Sequence, residues 1–117
     1  MTGETAAALI ALLSGREPMG SRLGTPVLDL SQPEFRELVV AGEAAIDPLS
    51  AMLPAAPARS AAWIVAALRT IGDAQASPVV RAACERWSRH EPVDDWVLAV
   101  RGQCNLLASS PAPGARE

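Results

Sequence analysis

The segment Leu38-Val-Val-Ala-Gly42-Glu-Ala44-Ala-Ile-Asp-Pro48-Leu49 is answered 30 residues later by Leu68-Arg-Thr-Ile-Gly72-Asp-Ala74-Gln-Ala-Ser-Pro78-Val79. Leu, Gly, an acid, Ala, Pro and an aliphatic residue recur in register. Each choice has a physical reason in a helix–turn–helix unit. Leu anchors the end of the first helix. Gly supplies the left-handed residue that closes it. The acid favours the positive end of the following helix. Pro is tolerated in a first turn, where its missing N–H has no partner. A faint third copy places Leu98 and Gly102 at the same spacing without the acid and the Pro. Gly102 therefore reads as internal to a last helix that caps the stack. Self-similarity at this period signals stacked helical hairpins.

Working outward, the pattern predicts about six helices. The first runs from about Glu4 to Ser14, capped by Thr2 or Thr5 and ended by Gly15. A second starts at Ser31-Gln-Pro33, with Ser31 as cap, and stops at Gly42. A third spans about Ala44 to Leu53. Pro54 to Pro57 reads as a linker. The fourth, about Ser60 to Ile71, is apolar on more than one side and should lie between neighbours. The fifth begins at Ser77-Pro78 and buries Val79, Val80, Ala83, Cys84 and Trp87. The sixth spans about Asp94 to Leu107. Residues 16 to 30 read as a long linker that lies on the core through Leu23, Val27 and Leu28.

Composition agrees with a helical chain. Half of the residues are apolar and only four are aromatic, so small side chains suited to close helix packing dominate over strand formers. All ten cations are Arg, and Tyr and Lys are absent. That bias points to a GC-rich coding sequence and a bacterial source. A net charge of −3 argues against a dedicated nucleic-acid binder. The apolar run Ala6 to Leu13 lacks the preceding positive charge of a signal peptide. No stretch reaches the roughly 20 apolar residues of a membrane span. Cys84 and Cys104 are too few for a disulfide scaffold and fall on buried stripes, so they read as small hydrophobes in a reduced, cytoplasmic chain.

The stretch from Leu38 to Trp87 resembles the short bacterial HEAT-like repeats, including those named after phycobilisome lyases. Ala67-Leu-Arg-Thr-Ile-Gly-Asp73 is the most specific part. The resemblance implies a short right-handed α-solenoid of antiparallel hairpins. The chain length fits one such domain, at residues 1–108, and the tail at 109–117, with Pro111, Pro113 and Gly114, reads as disordered. Members of the family mostly act as binding scaffolds, and a minority handle chromophores as chaperone-lyases. The motif is a fold signature and carries no catalytic residue.

The chemistry-bearing residues are sparse. His90 is the only histidine, and its spacing from Cys84 places the two on different faces of a helix. Gly20-Ser-Arg-Leu-Gly24 lacks the spacing of a nucleophile elbow. Glu34 and Glu37, and Asp94 and Asp95, lie in first helical turns, where carboxylates favour the dipole. One His and two scattered Cys make no tetrahedral zinc site, and no motif calls for a cofactor. Trp63, Trp87 and Trp96 read as core, with Trp63 as an interface anchor if it is exposed.

The expectation is a non-enzymatic protein-binding module, with a neutralising (immunity-type) or adaptor role among its uses. Its surface is expected on the inner face of the solenoid, at Asp47, Ser50, Arg81, Glu85, Ser88 and Arg89. The long linker, through Arg16 and Arg22, is the other candidate surface. Handling of a chromophore or other small ligand is the alternative. A nucleic-acid binder is less favoured, because Arg59, Arg69, Arg81, Arg86, Arg89 and Arg101 would have to cluster although acids are interleaved with them.

Overall fold

Gly42 and Gly72, the paired glycines of the repeat, both have positive φ, at 58° and 106°. In the computed structural model of the chain, which describes residues 1–15, 19–22, 25–72 and 77–109, both close a helix. For 19–22, 25–27, 108 and 109 only the backbone is described. The helices are α1 (Gly3–Ser14), α2 (Pro33–Ala41), α3 (Glu43–Met52), α4 (Ala58–Ile71), α5 (Pro78–Ser88) and α6 (Asp95–Ser109). A 3-10 turn, Leu53–Ala55, lies where a linker was expected. The tail at 110–117, and with it Arg116, lies outside the described residues.

The two copies of the repeat do not start their second helices alike. Gly72 sits in the left-handed region and donates its N–H to the Leu68 carbonyl at 3.0 Å, the closure expected of it. Gly42 has ψ −128°, outside the left-handed well, and serves at once as the last cap of α2 and the first of α3. Helix α3 therefore begins at Glu43, so Pro48 lies inside it and not in its first turn. There it removes the N–H that would reach the Ala44 carbonyl. Pro78, its counterpart, is the first residue of α5, capped by the Ser77 hydroxyl, which accepts from Val80 N at 3.3 Å. The chain turns by 113° between α2 and α3, a corner and not a tight antiparallel hairpin.

Residues 16–30 also depart from the expected structureless linker. They include an antiparallel pair, β1 (Met19–Arg22) and β2 (Thr25–Leu28), in which Gly20 faces Val27 and Ser21 faces Pro26. Leu28 is buried, as expected of an anchor. Leu23 and the side chains of Val27, Arg16 and Arg22 lie outside the described residues. After the hairpin, Asp29 replaces Ser31 as the local organiser. Its carboxylate accepts from the Ser31 backbone N–H at 3.0 Å, from the Ser31 hydroxyl, and from Gln32 Nε2 at 3.1 Å. Gln32, not Ser31, occupies the cap position of α2. These hydrogen bonds, that of the Ser31 hydroxyl foremost, hold the Asp29 carboxyl below its ordinary 3.8.

Helix α4 is the axis of the core. Every residue from Ala61 to Leu68 is buried, which fulfils the expectation that it lies between neighbours. It packs most extensively on α6, then on α1, and also on α2 and α3. Trp63 is fully buried, 6.0 Å from Phe35 by ring centroids, so it is core and no interface anchor. Alanines at 61, 62, 66 and 67 let the surrounding helices approach closely. Helix α6 returns to the N-terminal part and packs on β2 as well as on α4 and α5. No single described helix is long and apolar enough to cross a membrane.

Candidate functional site

Helix α5 sits at the edge of this arrangement. It packs on α6 and on the 3-10 turn. Val80, Ala83 and Trp87 are its buried residues, and Val79 and Cys84 are half-buried. Fixing that stripe inward leaves Arg81, Glu85, Ser88 and Arg89 exposed, as the helical spacing requires. The Ser88 hydroxyl donates to the Glu85 carbonyl at 2.7 Å, so it is engaged by its own helix. Among the described residues, the side chains of Arg81, Arg89 and Glu85 make no hydrogen bond or ion pair. Asp47 is exposed and Ser50 half-buried on α3. The 3-10 turn packs on both α3 and α5. Arg16 lies outside the described residues, as does the side chain of Arg22.

The other arginines of the expected cluster are tied to protein atoms. Arg59 donates to the Ser14 carbonyl at 3.0 Å, over the last turn of α1, and its guanidinium lies 5.1 Å from the Trp96 ring centroid. Arg69 Nε donates to Oε1 of the buried Gln103 at 3.0 Å. Arg86 donates to the Pro54 carbonyl at 2.6 Å and lies 4.6 Å over the Trp87 ring. Arg101 reaches the carbonyls of Trp87, Ser88 and His90 at 2.9, 3.1 and 3.1 Å. Arg59 and Arg101 act on the negative ends of helices, where a planar, multiply donating cation satisfies carbonyls that lack an intrahelical partner.

Two grooves escaped the sequence reading. One, of about 370 Å³, runs between the 3-10 turn and α5 and is lined by Pro54, Pro78, Val79, Ala82, Ala83 and Arg86. The other, of about 540 Å³, lies along α2 and includes Val40, which is 79% exposed. Periodicity marked Val79 and Ala83 as facing inward, but the groove depends on Pro54 coming alongside α5, a contact between distant parts of the chain.

His90 follows the last turn of α5. Its ring centroid is 4.6 Å from that of Trp87, against which it is half-buried. Cys84 and Cys104 correct the sequence reading: they form a disulfide joining α5 to α6, with Cα atoms 5.9 Å apart. That separation is ordinary for a disulfide. The reading as two free small hydrophobes fails because periodicity places each cysteine on an inward stripe but does not show that the two stripes meet. Among the described residues no group of His, Cys, Asp and Glu is arranged to hold a metal ion. No family model, curated protein or solved structure matches the chain.

Proposed function

We propose that this chain is a non-enzymatic protein-interaction module that binds a protein partner through the outer face of α5 and the groove beside it. The observation that carries this reading is the division among the arginines. Four of the six are committed to carbonyls, a buried amide or aromatic rings of the fold, while Arg81 and Arg89 stand exposed around Glu85 without partners among the described residues. Exposed charges of both signs suit a protein surface better than a polyanion, for which a single-sign field would serve. The same division weighs against a nucleic-acid binder, because most of the cations that it needs are occupied.

The HEAT-like part of the reading rests on the 30-residue repeat and on the positive φ of Gly42 and Gly72. In a simple row of hairpins each unit touches only its neighbours. The contacts of α4 with α1, α2, α3 and α6 call for a tighter, more closed stack. A neutralising or adaptor role fits such a module. The groove beside α5 favours a second reading, the handling of a small apolar ligand, since its volume falls within the usual range for ligand sites, about 300–1,000 Å³.

Reversal of both charges, Arg81→Glu with Arg89→Glu, tests the proposal. Partner binding, measured by titration against the partner captured from the native host, should weaken more than about tenfold, or 1.4 kcal/mol, with the helical signal intact. Unchanged affinity would move the contact to the hairpin and its flanks, where Arg16 and Arg22 are the residues to vary next.

A further inference from the structure

We propose that the Cys84–Cys104 disulfide is a reversible tie that sets how firmly α5 is held, and so regulates the surface assigned above to partner binding. The inference rests on that assignment for its consequence but not for its chemistry. Three features carry it. Both cysteines are half-buried at the margin of the core and not sealed inside it, the setting in which a disulfide is open to exchange. Helix α5 is peripheral, inserting only Val80, Ala83 and Trp87 fully, whereas α4 is buried along two turns. Its side-chain hydrogen bonds to the rest of the fold lie at or near its C-terminal end, with Arg101 on the carbonyls of Trp87, Ser88 and His90 and Arg86 on Pro54 and Ala56, so of its buried residues only Val80 and Ala83 hold the N-terminal half besides the disulfide. The disulfide is the covalent link nearer its middle. Opening it leaves the C-terminal turn anchored and frees the part that carries Pro78, Val79, Ala82 and Arg81.

The step is thiol–disulfide exchange with a low-molecular-weight thiol. One thiolate attacks a sulfur of the pair, forms a mixed disulfide and releases the other cysteine as a thiolate. A second thiol resolves the mixed disulfide. Two protons and two electrons end on Cys84 and Cys104, and the small thiol leaves as its own disulfide. In a reducing compartment the bond would open and in an oxidising one it would close.

The test is amide hydrogen exchange read by mass spectrometry on the full chain, prepared without reductant and again in excess reduced glutathione, with alkylation reporting the thiols. Exchange over residues 78–88 should accelerate about tenfold or more on reduction, with 61–68 unchanged, and oxidised glutathione should restore the slow rate. The double variant Cys84→Ser, Cys104→Ser should match the reduced protein in both conditions. Equal rates over 78–88 in the two states would overturn the proposal. So would loss of protection spreading into 61–68, which would make the bond a staple for the whole fold, or thiols that stay free in oxidised glutathione. The readout uses no partner, so its failure is distinct from a failure of the Arg81 and Arg89 test.

Discussion

Arg101 on α6 donates from Nε to the carbonyl of Trp87 on α5 at 2.9 Å, and from Nη2 to the carbonyls of Ser88 and His90. One side chain thus satisfies the end of a helix to which it does not belong. Arg101→Ala should lower stability by about 1–2 kcal/mol, the scale of hydrogen bonds to a charged donor at a half-exposed site. The denaturation midpoint should fall with its slope unchanged. Arg101→Lys should recover less than half of the loss, because an ammonium cannot span three carbonyls as the guanidinium fork does.

Gly72 and Gly102 should respond oppositely to an added side chain. Gly72 has φ 106°, so Gly72→Val should cost about 1–2 kcal/mol from backbone strain, although no atom would obstruct the new Cβ. Gly102 is inside α6 with open space around its missing Cβ. Gly102→Ala should therefore stabilise by about 0.5–1 kcal/mol through helix propensity alone. Thermal melts of the two variants check the pair. A melting temperature for Gly72→Val equal to that of the parent would count against its role as the closing residue.

Pro48 is a third backbone case. Inside α3 it removes one helical hydrogen bond and crowds the preceding turn. Pro48→Ala should raise stability by up to about 3 kcal/mol, since the proline stands in the middle of α3. A loss of stability would show that the proline fixes the corner between α2 and α3.

Among the described residues, Asp29 carries the pH dependence that the structure assigns. Its folded carboxyl titrates below 3.8 because the Ser31 hydroxyl and N–H, with Gln32, donate to the charged form. Stability from this group is present above the unfolded value near 3.8 and is lost as pH falls through the lower folded value. Ser31→Ala should move the Asp29 titration back toward 3.8, as followed by NMR of the carboxyl carbon. No movement would mean that the hydroxyl bond is not formed in solution.

What was legible in the sequence followed from local rules. The buried run of α4, the starts of α1 at Thr2 or Thr5 and of α5 at Ser77-Pro78, and the outward face of α5 all follow from spacing and turn chemistry. The misses needed knowledge of which distant segments meet. A hairpin of Met-Gly-Ser-Arg and Thr-Pro-Val-Leu has little strand character alone, and β2 packs on α6, some 70 residues further along. The disulfide, the groove beside Pro54 and the four occupied arginines likewise depend on contacts between distant parts of the chain. Ser31 failed as a cap because Asp29, two residues earlier, is the stronger acceptor and takes its hydroxyl.

Ala82 separates the two parts of the proposed surface. It lines the groove between α5 and the 3-10 turn, yet it is exposed and buries no core atom. A long side chain there should fill the groove without disturbing Val80, Ala83 or Trp87. Arg is a good helix former, so Ala82→Arg should keep the helical signal and shift stability by no more than about 0.5 kcal/mol. If the partner inserts an apolar group beside Pro54 and Val79, Ala82→Arg should weaken binding about tenfold or more, the equivalent of 1.4 kcal/mol. If the partner reads only the charges of Arg81, Glu85 and Arg89, affinity should hold in Ala82→Arg and fall in the charge-reversed variant. Isothermal titration of both variants distinguishes the cases. Retained binding in both would take the contact off α5, to the hairpin flanks at Arg16 and Arg22 or to the groove along α2, where Val40→Glu places a charge on a side chain that is 79% exposed.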